Sequence, residues 1–502
     1  MPSPAAIDPA FLALPLDALA DAALGHAKAR GATYADFRLE SLQRQTIVAR
    51  DRGLQRSTVA ESTGFAVRVI HKGAWGFASG IALTTDAAAA AGSRAIDVAE
   101  TLAPLQAAPV VLADEPSHVD AFVSPYRIDP FTMPEDEKIA FVLALTAGAR
   151  GRARVDHVTA RVQLVSERKF FASMAGARLA QQRVRVAGDV TAARIDGSTG
   201  TFETMRTTVP PAGSGWEYLA ESSLAQQAEE LPALLEEKMA SPPIAPGRYD
   251  LVVDATNLWL TLHETIGHAT ELDRALGYEA NYAGTSFATP EGIDRLRIGS
   301  SLMHVTADRQ VPHGLSTVGY DDEGVAAQSW DLVRGGVLTG FQLNREMAHR
   351  LGAARSNGCA FADAPEHAPL QRMPNVSLLP APTDITLDDL LAGVDDGIYV
   401  VGDRSWSIDA VRSNFQFTGQ RFYRIRNGRL AGQLRDVAYR SRTTEFWNAM
   451  DAVGGPSTYV PCGLFHCGKG EPPQSAPATH GCPAALFRGI DVLNTEGRSS
   501  TS

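Results

Sequence analysis

Residues 263–268 read HETIGH. Two imidazoles and a carboxylate in so short a run suit metal chemistry. In the H-E-x-x-H pattern of zinc proteases, histidines one helical turn apart bind the ion and the glutamate acts on water. Here the second histidine arrives one residue late. Successive residues of an α-helix turn by about 100°, so a spacing of four leaves side chains about 40° apart and a spacing of five about 140°. His263 and His268 therefore cannot share an ion on a regular helix. Either the helix widens into a π-bulge, or it ends between them. Gly267 makes either distortion cheaper than a bulkier residue would. On that expectation Glu264 is the general base, and Glu271 and Asp273 of the following ATELD are candidate acceptors for the imidazole N–H groups. The apolar LWLTL just upstream predicts a buried setting.

A catalytic zinc site needs a third protein ligand. The C-terminal stretch YVPCGLFHCGKGEPP offers Cys462, His466 and Cys467, each chemically adequate, with glycines that let the backbone bend around a site. The four cysteines are at 359, 462, 467 and 482; with a reducing compartment as the expectation, they are expected as ligands or inert thiols rather than bridged pairs. Asp321, Asp322 and Glu323 form a compact acidic turn that could bind calcium or position substrate amines, a solvated turn being the simpler expectation. Cys359, His367, His304 and His313 read as non-ligands. Trp406 and Trp447 could line a groove, with core packing the default.

Several elements must position these residues. Leu12 to Gly31 has helical apolar spacing, and ADFRLE through AWGFASG alternates as a strand meander with turns at DRG and HKG. Further helices are expected over TDAAAAAGSRAIDVAETLA, Glu135 to Gly148 and Trp216 to Met239, with more strands between residues 158 and 205. Strands and helices segregate, which predicts α+β architecture. ASPPIAPGRYD at 240–250 divides the chain into an N-terminal α+β domain, 1–242, and a β-rich C-terminal domain, 243–502, that carries the histidines. The last residues, NTEGRSSTS, are expected to fray.

At 502 residues two domains are expected. The chain carries 46 Lys plus Arg against 57 Asp plus Glu, a formal charge of −11, with no basic cluster. That excludes nucleic acid as the main ligand. No apolar run is long enough to span a bilayer, and the first residues lack a basic start followed by an apolar core. A soluble, cytoplasmic protein is the expectation.

Beyond HETIGH, the chain carries HGLSTVGYDDEGVAAQS at 313–329, RMPNVSL at 372–378, FQFTGQRFYRIRNGRL at 415–430 and CGKG at 467–470. With ESTGFAVRVIHKGAWGFASG at 61–80, these resemble the TldD/PmbA family of metalloproteases over most of the chain, and specifically its metal-bearing TldD side. The resemblance implies an N-terminal α+β domain and a barrel-like β domain. It also implies a zinc ion held by His263, His268 and Cys467, with Glu264 as general base. Cys467 is the thiol that matches the family's C-G-K motif, which makes Cys462 and His466 neighbours. An extended peptide substrate is implied, in peptide maturation or small-protein turnover. So is a dimer, either a homodimer or a heterodimer with a PmbA-type paralogue, and a non-cleaving peptide-binding subunit is the alternative. GHATELD and CGKGEPPQ depart from the family's usual GHGLEGD and C-G-K-D-G-Q, which points to an altered substrate range.

Overall fold

The computed structural model describes residues 6–151, 155–197, 200 and 202–495. The segment expected to fray lies outside them from residue 496 on. The N-terminal half runs α1 (Pro9–Leu12), α2 (Leu16–Ala29), β1 (Tyr34–Arg50), β2 (Gly53–His71), β3 (Ala74–Gly80), α3 (Thr85–Leu102), β4 (Val119–Val123), α4 (Glu135–Arg150), β5 (His157–Ser173), β6 (Arg178–Ile195), β7 (Phe202–Arg206), α5 (Trp216–Glu221) and α6 (Leu224–Ala240). The strands form one sheet in the order β3-β2-β1-β5-β6-β4, with β7 also on β6. Tight turns at Asp51 and at Lys72–Gly73 adopt positive φ and join the first three strands. The long helix expected over Trp216 to Met239 is two helices. Ser222 is extended, at ψ 167, and its hydroxyl accepts from the Leu224 amide, so the serine pair ends one helix and starts the next.

Alternation along these strands separates two faces. Phe37, Leu39, Ile47 and Ala49 of β1, with Val162 and Leu164 of β5, pack against the helices. The opposite residues are polar, and the C-terminal half covers them instead of water. Arg38 donates to the carbonyls of Ala364 and His367. Lys169 pairs with Asp322 at 2.8 Å, and Arg68 with Glu323 at 3.0 Å.

The acidic turn is thus buried, not solvated. Asp321 accepts from the amides of Glu323, Val325 and Ala360, and its neighbours hold cations of the first sheet. No carboxylate is left for calcium or a substrate amine. The partner cations come from strands more than 150 residues upstream, so local sequence cannot reveal them.

The C-terminal half begins with β8 (Gly247–Val253) and α7 (Ala255–Leu262), followed by residues 263–270 and α8 (Leu272–Ala275). Next come β9 (Val305–Asp308), β10 (Ser329–Arg334), β11 (Val337–Leu338), α9 (Arg345–Leu351), β12 (Ala360–Phe361), β13 (Leu370–Gln371), β14 (Asn375–Leu378) and α10 (Leu387–Ala392). The remainder is β15 (Asp396–Ile408), β16 (Asn414–Arg426), β17 (Arg429–Leu434), β18 (Val437–Arg442), α11 (Thr443–Asn448), β19 (Met450–Val453), β20 (Val460–Lys469), β21 (Gln474–Cys482) and β22 (Ala485–Asn494). Strands β15, β8, β22, β18 and β16 close into a five-stranded barrel, because β15 pairs with both β8 and β16. The fold is α+β with a C-terminal barrel. Helix α7 lies in the largest apolar core with Leu258, Trp259 and Leu262 buried, and the β20–β21 hairpin packs beside it.

Two stability tests follow from the charged face. Removing one partner of a buried ion pair leaves the other charge uncompensated, so Asp322→Ala should destabilise the fold by about 3–5 kcal/mol in chemical denaturation. Glu40 is fully buried with neither carboxylate oxygen hydrogen-bonded. Burial pushes its carboxyl up to about 7, although Lys169 and Arg38 pull the other way. The folded chain then keeps a proton that the unfolded chain releases above about 4.5, so this group's contribution to stability falls as pH rises to 7 and is flat above. Glu40→Gln should shrink that fall in thermal denaturation between pH 5 and 7.

Candidate metal centre

Asp254 caps α7 by accepting from the Thr256 amide. The helix stays α-helical to Leu262 and then widens: residues 263–267 form a π-turn in which the His268 amide donates to the His263 carbonyl, five residues back. A three-residue 3-10 turn follows from His268 and the helix ends after it, so of the two expected remedies the helix takes the widening and does not end between the histidines.

Widening disturbs the backbone ladder, and neighbouring side chains make up the bonds. The hydroxyls of Thr265 and Thr270 donate to the carbonyls of Thr261 and Ile266, and the Gln342 amide donates to Gly267. Trp447, fully buried, donates its indole N–H to Thr265 at 2.9 Å. Gly267 has ordinary helical angles, φ −53 and ψ −61, so it does not supply backbone freedom. A Cβ there would stand 2.6 Å from the Met373 sulfur, so any larger residue would have to displace the end of that side chain.

The turn brings His263 and His268 onto one side, their ring centroids 4.7 Å apart. Cys467 of β20 meets them, its sulfur 3.5 Å from His268 Nε2. One donor atom from each of the three lies within 4.8 Å of the others. Hydrogen bonds settle which nitrogens face inward. His268 Nδ1 stands 2.8 Å from Glu271 Oε2 and donates to it, leaving Nε2 with its lone pair toward the sulfur. His480, wholly buried, has Nδ1 2.9 Å from the Val376 carbonyl, which can only accept. Its Nε2 therefore receives the proton of His263 Nδ1 at 2.7 Å, and His263 also presents Nε2. Burial holds both His263 and His268 well below the usual imidazole range, with Arg412 acting the same way, so they stay neutral. His480 is lowered by burial to about 4. Two neutral imidazole lone pairs and a thiol converging in a buried place fit zinc, whose usual donors are nitrogen and sulfur.

Lys469, two residues beyond Cys467 on the same strand, reaches Asp273 at 2.8 Å, Glu279 at 3.1 Å and Glu271 at 3.2 Å. Burial disfavours its charge, but the three carboxylates outweigh this and hold it cationic. Strand β20 thus grips the acid that orients His268. Of the two acceptors suggested by the sequence, Glu271 meets an imidazole, whereas Asp273 meets Lys469 and Gln371. Arg372 of RMPNVSL donates to the Cys467 carbonyl.

Glu264 shares an ion pair with Arg412 at the tip between β15 and β16. Burial raises its carboxyl and Arg412 restrains the rise. Glu264 and His263 line a cavity of about 390 Å³ that Trp406, 54% exposed, also borders. Cys462 lines this cavity but turns its thiol to the Ala255 carbonyl, and His466 faces Gln163 of β5. All four cysteines are free thiols. Sequence reasoning missed His480, Arg412 and the role of Lys469. Only the C-G-K motif held a trace of the last.

Comparison with known proteins points the same way. The model of the PmbA/TldA metallopeptidase C-terminal domain matches residues 246–494, that of domain 1 residues 35–100, and that of the central domain residues 128–232. A metalloprotease of Methanothermobacter thermautotrophicus is 30% identical over 471 residues, 92% of this chain and 96% of that protein. The chain belongs to the PmbA/TldD metallopeptidase family. Within the family it is also similar to a zinc metalloprotease TldD homolog of Saccharolobus solfataricus, 27% identical over 221 residues, 44% of this chain and 46% of that one. In fold it is similar to a Bacteroides thetaiotaomicron protein described as a candidate modulator of DNA gyrase. The TM-score is 0.73 at 18% identity, covering 95% of this chain and 98% of the other. TldE of Thermococcus kodakarensis gives 0.68 at 15% identity, with 94% and 99% covered. No described helix is long and apolar enough to cross a membrane.

Outer hydrogen-bond partners of metal-binding histidines are worth about 10–100-fold in affinity. His480→Ala should therefore weaken zinc binding by about that factor in competition with a chromophoric chelator. Cys467→Ser should lose zinc in elemental analysis, whereas Cys462→Ser should keep it.

Proposed function

We propose that the chain is a zinc-dependent peptidase acting on extended or unfolded peptides, in peptide maturation or small-protein turnover. We propose that it works as a dimer, either with itself or with a PmbA-type paralogue. The observation that carries this reading is the convergence of His263, His268 and Cys467, with His263 and the carboxylate of Glu264 together on the wall of one cavity. Zinc bound by those three residues would polarise a peptide carbonyl and acidify water. Glu264 takes the water's proton and passes it to the leaving amine. Burial lifts its carboxyl toward the range a general base needs, while the Arg412 guanidinium keeps the charged form accessible. Among the described residues β20 pairs only with β21, and Gly463 to His466 border the cavity. That leaves a strand edge to which an extended segment can add by main-chain hydrogen bonds. The names of the relatives support metallopeptidase chemistry, one of them with zinc, and the likeness to TldE supports a paralogous partner.

Glu264→Gln, which keeps size and loses the base, should retain zinc and lower kcat on a flexible peptide by about 10²–10⁴-fold with the partner supplied. Cleavage at the wild-type rate would remove Glu264 from the reaction. Wild-type protein that binds peptide without cutting it would favour a binding subunit.

A further inference from the structure

The substrate cavity does not end in solvent alone. A second cavity, of about 400 Å³, lies beyond it along the polar face of the first sheet. Gln163, Phe465 and His466 line both. The first cavity holds His263 and Glu264, and the second holds Arg44 and Asp363 and no candidate reacting group.

Of the three shared residues, Gln163 and His466 meet across the groove. A β-bulge in β20 between Leu464 and Cys467 breaks its register with β21 at Phe465 and His466, the usual device for re-aiming a side chain beside a site. His466 Nε2 stands 3.3 Å from the Gln163 amide nitrogen on β5, and its Nδ1 is 3.3 Å from the Ser475 hydroxyl on β21. The imidazole is tied at both ends and spans the groove from the C-terminal half to the N-terminal sheet. The bar is weak: two exposed hydrogen bonds to neutral groups.

Resting on the peptidase reading, we infer that His466 and Gln163 form an openable partition between two compartments of one substrate groove. The partition limits how much of an extended peptide on that side of the cleaved bond contributes to recognition. A short segment fits in the first compartment with the bar closed. A longer chain enters the second compartment only by breaking the His466 to Gln163 contact, and the cost of doing so offsets the attraction between the longer flank and the second compartment's walls. Cys467 is the next residue on the strand, so the partition stands one residue from the metal donors and sets a length limit close to the chemistry.

The test uses a ladder of fluorogenic peptides with one common cleavable bond and progressively longer flanks at either end. It is applied to wild type, His466→Ala, Gln163→Ala and His466→Gln, each first checked for full zinc content. For wild type, kcat/KM should stop rising beyond a short flank on one side. In His466→Ala and Gln163→Ala the ratio of kcat/KM for the longest peptide to that for the shortest should rise about fivefold over wild type. His466→Gln, whose amide can still bridge to Gln163, should restore the plateau. The same labelled peptides titrated into Glu264→Gln and Glu264→Gln/His466→Ala read the partition as binding, without turnover. A peptidase reading that fails alone would show length-dependent binding and no cleavage. Identical length dependence in all variants, in both rate and binding, would overturn the partition.

Discussion

His268 lies five positions after His263, and a regular helix cannot turn both toward one point. The remainder of the site is arranged around that misfit. The helix widens for one turn, and its displaced carbonyls are taken up by Thr265, Thr270 and Gln342. Gly267 yields its side-chain volume to Met373. A π-turn in water would revert to α-helix. Here it is held because the segment from Leu258 to Arg274 is buried throughout, where an unpaired backbone group costs more than the distortion.

Closing the site takes a second element from far along the chain. Strand β20 supplies Cys467 and, two residues on, Lys469 on the same face. One side chain is a donor to the centre, and the other draws Glu271, Asp273 and Glu279 together. The acid that orients His268 is therefore fixed by the strand that carries the sulfur. The helix and hairpin cannot shift against each other without breaking a buried four-member charge cluster. The π-turn, Cys467 and Lys469 form one rigid unit, while the groove in front of it is bounded by the exposed Trp406 and the lightly tied His466. Rigidity at the donors and looseness at the walls suit the proposed peptidase.

How much of the fold and site is legible in the sequence depends on distance along the chain. The offset of His263 from His268 and the acceptor Glu271 lie within nine residues, and helical geometry alone fixes their relation. Alternation locates β1 to β3 and their turns, and the proline-rich stretch at 240–250 stands out locally. His480 is hidden, since its role comes from a hairpin that places it 217 residues from His263. Arg412 is equally hidden, 148 residues from Glu264. The DDE turn misleads for the same reason: three acids in sequence look hydrated until Lys169 and Arg68 arrive from another sheet. The serine pair at 222–223 also divides a helix whose apolar period runs on unbroken.

The most direct measurement of the central claim is zinc K-edge absorption spectroscopy on the purified protein. One sulfur at about 2.3 Å and two imidazole nitrogens at about 2.0–2.1 Å are predicted, with any further scatterer light. A coordination sphere without sulfur, or with several sulfurs and no imidazole, would contradict it.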